Sequence, residues 1–270
     1  MKILNNNQAT TSQYISLKNH DWLKRQRVAG RVTALALRHL RLRVEEGTTL
    51  TTAELSAEAE AIILEQGCTP TFKNYKGFPH AVCISVNEQL VHGIPNDYRL
   101  KDGDVVSFDL GATFEGSIAD SAQTMIFGKP KNEKHIQLIQ ATKKALQLAI
   151  DQVAVGKRLG CIGNAIYNYG REQDLSVIVN YGGHGICNNP DGSGRPHAPP
   201  FVANRADPNE GIVIQAGLTI AIEPMFILGS SNKTKISDDG WTVISDNIGS
   251  HEENTIFVHE DRVEIITAID

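Results

Sequence analysis

No Cys-x-x-Cys pair occurs anywhere in the 270 residues. The four cysteines, Cys68, Cys83, Cys161 and Cys187, are scattered, a pattern that fits neither a zinc ribbon nor a disulfide framework, so reduced thiols in a cytosol are expected. Long apolar runs are missing as well. None approaches the roughly eighteen residues that suggest a membrane span, and the opening Met1-Lys2-Ile3-Leu4-Asn5-Asn6-Asn7 turns polar too early for a secretory signal. Nor is there an excess of positive charge: 26 Lys and Arg against 31 Asp and Glu leave a net charge of −5. That balance argues against nucleic acid or an anionic membrane as the main partner. The expectation is a cytoplasmic globular chain, 41% hydrophobic and 21% charged, long enough for one large domain or two small ones.

Residues 1–18, rich in Asn, Thr, Ser and Gln, read as an extension or loosely docked arm ahead of a domain over 19–270. From Leu17 to about Glu46, Leu23, Val28, Val32, Leu35 and Leu40 recur at helical spacing, and Gly47 is the stop. Thr51-x-x-Glu54 resembles a capping box and opens a helix that ends at Gly67. Strands are expected over Ala81–Asn87, Val105–Leu110 and Ile118–Phe127. Helices over Asn132–Val155 and Leu159–Glu172 follow, then strands over Ser176–Tyr181, Leu218–Glu223, Glu252–Val258 and Val263–Thr267. The order helix, helix, strands therefore occurs twice. Val44-x-x-Gly47-x-x-Leu50 is echoed by Val153-x-x-Gly156-x-x-Leu159, and His92-Gly93-Ile94 by His184-Gly185-Ile186. An internal duplication with halves of about 19–128 and 129–270 is expected, its strands forming one sheet, its helices covering the outer face, and a cleft lying between the halves.

Asp109 and Asp120 flank a turn near Phe114-Glu115-Gly116. A turn centred between 114 and 115 sets the two carboxylates directly opposite on one face, an arrangement that is destabilising unless a proton or cation lies between them. The second half adds His184, Glu223 and Glu253 on strand-like or strand-end segments. Singly, each has a plain structural reading as a turn cap, a strand end or a loop residue. As a set, four carboxylates and one imidazole form a cluster that two divalent cations would neutralise. Oxygen donors with one imidazole and no thiolate suit Mn, Fe(II), Co or Zn better than a structural zinc site does.

Several strings occur together and in order: Gly77-Phe78-Pro79, Cys83-Ile84-Ser85-Val86-Asn87-Glu88, Val91-His92-Gly93-Ile94-Pro95, Gly183-His184-Gly185-Ile186, Ile222-Glu223-Pro224-Met225, Asp239-Gly240-Trp241-Thr242 and Glu253-Asn254-Thr255. With the Asp109–Asp120 spacing, they make residues 20–268 resemble type I methionine aminopeptidases of the compact bacterial kind. The resemblance implies an α/β (α+β) pita-bread fold, two pseudo-symmetric halves with a central curved antiparallel sheet covered by helices. It also implies hydrolytic removal of N-terminal methionine from nascent proteins and peptides with a small second residue, by a water activated between two divalent ions. On this pattern Asp109 chelates one metal, Asp120 and Glu253 bridge both, and His184 and Glu223 complete the second, with Glu223 also the proton shuttle. His92 and His197 match the two substrate histidines, a role that suits imidazole near neutral pH. Tyr75, Phe78, Cys83 and Trp241 fall where the family lines its methionine pocket. Peptide is the expected partner and a monomer the expected oligomeric state, while docking on the ribosome is left open by the sequence.

The chain departs from that pattern in places. The link between the metal histidine and the substrate histidine is lengthened by a Gly/Pro/Asn-rich insert over 187–196, although His197-Ala198-Pro199-Pro200 keeps the H-x-x-P form. Pro196 replaces an aromatic pocket residue and Lys76 a histidine, while Glu252 adjoins Glu253. The alternatives are an Xaa-Pro peptidase, which usually carries a further N-terminal domain, and a non-catalytic binding protein, which would be expected to lack metal ligands.

Overall fold

A short antiparallel pair, β1 (Ile3–Asn5) and β2 (Tyr14–Ser16), precedes the first helix. The computed structural model describes residues 3–5, 14–188 and 194–268, with backbone alone at 3–5, 14, 187–188 and 194–195. Part of the expected arm thus lies outside the described residues. Ile15, by contrast, is packed into the main core.

Asn19 accepts the Trp22 amide and opens α1 (His20–Glu45), which Gly47 ends in the left-handed region. Along α1 the buried stripe runs through Leu23, Val32, Leu37 and Leu40, whereas Leu35 is exposed, contrary to the sequence reading. Leu37 takes the inward position because it lies closer to the helical repeat that joins Leu23, Val32 and Leu40. The capping box holds: Glu54 Oε2 accepts the Thr51 amide at 2.7 Å, Thr51 Oγ1 accepts the Glu54 amide at 3.1 Å, and α2 (Thr52–Glu65) follows.

After β3 (Thr69–Pro70) and a short turn of helix over Tyr75–Gly77 come β4 (Val82–Val86), β5 (Gln89–Val91), β6 (Val105–Phe114) and β7 (Ser117–Ile126). The second half repeats the plan with α3 (Glu133–Asp151), α4 (Gly160–Glu172) and β8 (Leu175–Val177). It continues with β9 (Gly182–Asn188), β10 (Gly194–Ala203), β11 (Thr219–Ile222), β12 (Met225–Leu228), β13 (Thr234–Ile236) and β14 (Val243–Ser245). The last strands are β15 (Gly249–His251), β16 (Glu253–Val258) and β17 (Val263–Ile265).

The central antiparallel sheet runs β10-β9-β11-β16-β7-β6-β3, with β4 also on β6 and β17 on β16. Strands of both halves meet where β7 pairs β16. Helices α1 and α2 pack with β4 and β6 around Phe108 and Leu110, and α3 and α4 with β11, β12 and β16 around Ile220 and Phe226. Two three-stranded sheets, β15-β12-β8 and β13-β14-β5, flank the centre. Of the paired glycines in the sequence echo, Gly47 lies two residues past the end of α1 and Gly156 five past the end of α3, both with positive φ.

The β6–β7 hairpin corrects the expected register. Phe114 pairs Ser117, so the two-residue turn is Glu115-Gly116, both with positive φ. Such a turn matches the twist of the flanking strands and favours glycine at its second position. Asp109 therefore faces Ala122, and Asp120 faces Gly111. The two aspartates keep a common face but sit diagonally, which relieves the direct opposition of like charges.

Candidate metal centre and active-site cleft

Register alone lines up much of the site. On one face of the central sheet, Cys83 of β4 faces Asp109 of β6, Asp109 faces Ala122 of β7, and Ala122 faces Glu253 of β16. Asp120 lies two residues from Ala122 on that face. The residues between and opposite the carboxylates are small: Ala122 separates Asp109 from Glu253, and Gly111 stands across from Asp120. Glu223 follows Ile222, the last paired residue of β11, and Pro224 breaks the ladder there. The chain turns at this corner from the central sheet into β12, and Asn204 Nδ2 donates to the Glu223 carbonyl at 3.0 Å. His184 comes from β9, next to Gly183 and Gly185, where a side chain would run into Ala221 or Pro199 backbone.

These five groups converge. His184 Nε2 lies 3.6 Å from Asp120 Oδ2, 3.7 Å from Glu223 Oε1 and 3.8 Å from Glu253 Oε1. Its Nδ1 is 3.2 Å from the Gly185 carbonyl, which can only accept, so Nδ1 carries the donated proton. In the neutral ring the Nε2 lone pair is then aimed at three carboxylate oxygens beyond hydrogen-bonding range. Donors so disposed repel one another unless they share a cation about 2 Å from each. Asp120, His184 and Glu253 present ligand atoms all within 4.8 Å of one another. Asp109 Oδ1 is buried and has no hydrogen-bond partner among the described residues.

The electrostatics agree. Burial, and then the neighbouring carboxylates, push Glu253 well above its ordinary value. Burial likewise raises Asp120 and takes Asp109 up to about 7. For Glu223 burial also works upward, but His251 and His184 outweigh it and the carboxyl is held down. A group of buried carboxylates that resists ionisation together is what a divalent-cation site looks like before its charge is balanced. The donor set therefore fits divalent metal.

Every residue expected at the site lines one cavity of about 270 Å³. Phe78 and Cys83 pack with Phe72 in an apolar wall against which Trp241 leans, the Phe78 and Trp241 rings meeting edge-on at 5.2 Å. Burial, then Asp109 and Glu253, push the Cys83 thiol well up, so it stays neutral. Trp241 is fixed by the loop that carries it. Asp239 Oδ1 accepts the Trp241 and Thr242 amides at 2.8 Å each, and Thr242 Oγ1 in turn accepts the Ile94 amide at 3.3 Å.

His92 follows β5 with φ 59°, an uncommon conformation for a residue with a side chain. Its neighbour Gly93 is held by β4, donating to Ser85 Oγ and accepting the Ile84 amide. Burial lowers the His92 pKa despite the opposing charge of Glu223. His197 stands on β10 with its ring 4.4 Å from that of His184 and stacked at 5.3 Å on Tyr75. It is exposed at the mouth yet crowded on its inner side. That desolvation, with repulsion from His184, pushes its pKa down.

Residues not anticipated also contribute. Phe72, Tyr181 and Phe201 line the cavity, and His251 stands behind Glu223 with Nε2 3.3 Å from Oε2. A signal for His251 was present, because it lies two residues before Glu253 in a buried strand pair. Glu252 points elsewhere, accepting the Thr124 amide at 3.0 Å, so Glu253 is the one that enters the cleft. Within the 187–196 insert Asn188 of β9 pairs Gly194 of β10, while 189–193 lie outside the described residues. Among the described residues no helix is long and apolar enough to cross a membrane.

Comparison with known proteins gives concordant results. The family model for metallopeptidase family M24 matches residues 24–260. The chain is 43% identical over 255 residues to a methionine aminopeptidase of Mycoplasma capricolum subsp. capricolum, covering 94% of this chain and 98% of that one. To a methionine aminopeptidase of Clostridium perfringens it is 38% identical over 257 residues, covering 94% and 99%. Among solved structures, a methionine aminopeptidase from Thermotoga maritima matches with a TM-score of 0.86 at 32% identity, covering 94% of this chain and 99% of that one.

Proposed function

The chain belongs to metallopeptidase family M24 and is a metallo-aminopeptidase with the pita-bread fold, and on that premise we propose that it removes N-terminal methionine from peptides with a small second residue, using two divalent ions. One observation carries this reading: four buried carboxylates and an imidazole converge in a cavity whose other wall is largely aromatic. Asp109, Asp120, His184, Glu223 and Glu253 would hold the ions, which when bound supply Lewis-acid polarisation of the scissile carbonyl and a water nucleophile at neutral pH.

The chain's own groups divide the remaining work. Glu223 is held down in pKa and so stands as a carboxylate able to take a proton from the attacking water and pass it to the leaving amine. His92 and His197, both pushed toward the neutral form, offer an N–H to the substrate's peptide group. Phe78, Cys83, Trp241 and Tyr75 receive the methionine side chain, whose unbranched thioether packs well against aromatic edges. Nascent chains at the ribosome are the substrates this reading favours, with the enzyme acting as a monomer in the cytoplasm.

An anaerobic assay comparing Met-Ala-Ser, Leu-Ala-Ser and Ala-Pro peptides with added Mn, Fe(II), Co or Zn tests it. Release of methionine from the first alone is expected. Preference for the Ala-Pro peptide would replace the reading with an Xaa-Pro peptidase.

A further inference from the structure

We infer that His251 is a positioning residue that holds the Glu223 carboxylate by one oxygen and so turns the other toward the metal centre. The inference rests on the reading of the site given above. Glu223 is divided between two histidines: Oε1 is 3.7 Å from His184 Nε2 inside the donor cluster, and Oε2 is 3.3 Å from His251 Nε2 behind it. His251 is 1% exposed and does not line the cavity. Its approach to Oε2 is off the N–H axis, but the terminal torsion of a glutamate is broad, so bringing the two into line costs little.

The backbone of His251 is unusually well fixed. It pairs with Met225, two residues past Glu223. Its amide donates to Thr124 Oγ1 at 2.9 Å, and the same hydroxyl donates to its carbonyl at 2.6 Å. Next to it, the Glu252 amide reaches the Pro224 carbonyl at 3.3 Å. The ring is thus delivered by a rigid strand pair to the corner that carries Glu223.

Asp120 is treated the same way. Thr255 Oγ1 sits 3.0 Å from Asp120 Oδ1, and Oδ2 is the oxygen that faces His184. Each of these carboxylates therefore has one oxygen faced by a residue outside the cluster, hydrogen-bonded at Asp120 and at 3.3 Å without a formed hydrogen bond at Glu223, and one presented within it. Such outer partners set ligand orientation, and removing one typically weakens metal binding about 10–100-fold.

The test compares wild type with H251M, which keeps volume without a donor, and H251Q, whose amide N–H can reach Oε2. Metal-stripped proteins are titrated calorimetrically with Mn²⁺, and kcat on Met-Ala-Ser is measured alongside. The inference expects about 10–100-fold weaker binding and lower kcat in H251M, with H251Q close to wild type. Wild-type affinity in H251M overturns it. Equal losses in H251M and H251Q also overturn it, because volume rather than the hydrogen bond would then be holding the site. Should H251M fail to fold, H251N takes its place, since its amide is too short to reach Glu223. A wild-type protein that bound no Mn²⁺ would instead overturn the reading of the site as a metal centre, a distinct result.

Discussion

Among the described residues one buried oxygen of Asp109 has no partner, and burial lifts the pKa of this carboxyl to about 7. Asp109→Asn keeps the shape and removes the charge, so its two effects should have opposite signs. In chelator, the variant is expected to unfold at the same temperature as wild type or higher, because an unpaired buried charge has been removed. With metal supplied, kcat/KM on Met-Ala-Ser should fall by about 100-fold or more. A variant that is destabilised in chelator and fully active with metal would contradict both. His92→Ala should lower kcat by about 100-fold while metal content, read by elemental analysis, stays unchanged, because His92 stands outside the donor cluster. At this scale the sequence was highly readable. All eleven expected residues line one cavity, reached from buried charge on apolar strands joined to a family pattern. His251 escaped because its partner, Glu223, is distant in sequence and close only through the β12–β15 pairing.

Elements were legible where a local rule dictated them. The capping box at Thr51 and Glu54 formed as its spacing requires, and Thr51→Ala is expected to cost about 1 kcal/mol of stability in a denaturant titration. Helix α1 also depends on Gly30, since a methyl there would meet the Ile266 carbonyl oxygen. Gly30→Ala should therefore destabilise by about 1–3 kcal/mol, unlike an ordinary helical glycine, for which alanine is favourable. The β6–β7 register was misplaced by one residue per strand because Glu115 does not announce a positive φ as asparagine would. Strands β9 and β10 went unseen, since Gly182-Gly183-His184-Gly185 and His197-Ala198-Pro199-Pro200 carry few of the β-branched residues that mark strands. The glycines are required there by close backbone approach, a tertiary fact that local propensity does not register.

Over the whole molecule, the halves are joined by the site and by surface contacts that close the chain upon itself. Arg27 of α1 donates through Nε and Nη2 to both Glu264 oxygens at 2.6 and 2.7 Å, and His259 approaches Oε2 at 2.7 Å. The Arg27 hydrogen bond, followed by that of His259, brings the Glu264 pKa from 4.5 down to about 2. A lowered carboxylate pKa contributes stability above the unfolded value that is lost as pH falls through the folded one. Stability should therefore drop between pH 4.5 and about 2, and Glu264→Gln should flatten that part of the curve. An unchanged pH dependence in the variant would remove the pair from the account. The order of two helices followed by strands recurs along the chain, but the His-Gly-Ile echo joins different settings: His92 sits in a left-handed turn and His184 within β9.

The most direct test of the central claim is reconstitution of metal-stripped protein, counting bound ions while following methionine release from Met-Ala-Ser under anaerobic conditions. Stripped protein is expected to show no hydrolysis and to regain full activity with divalent metal, with about two ions bound per chain at saturation. Hydrolysis by the stripped protein, or metal bound without any release of methionine, would contradict it.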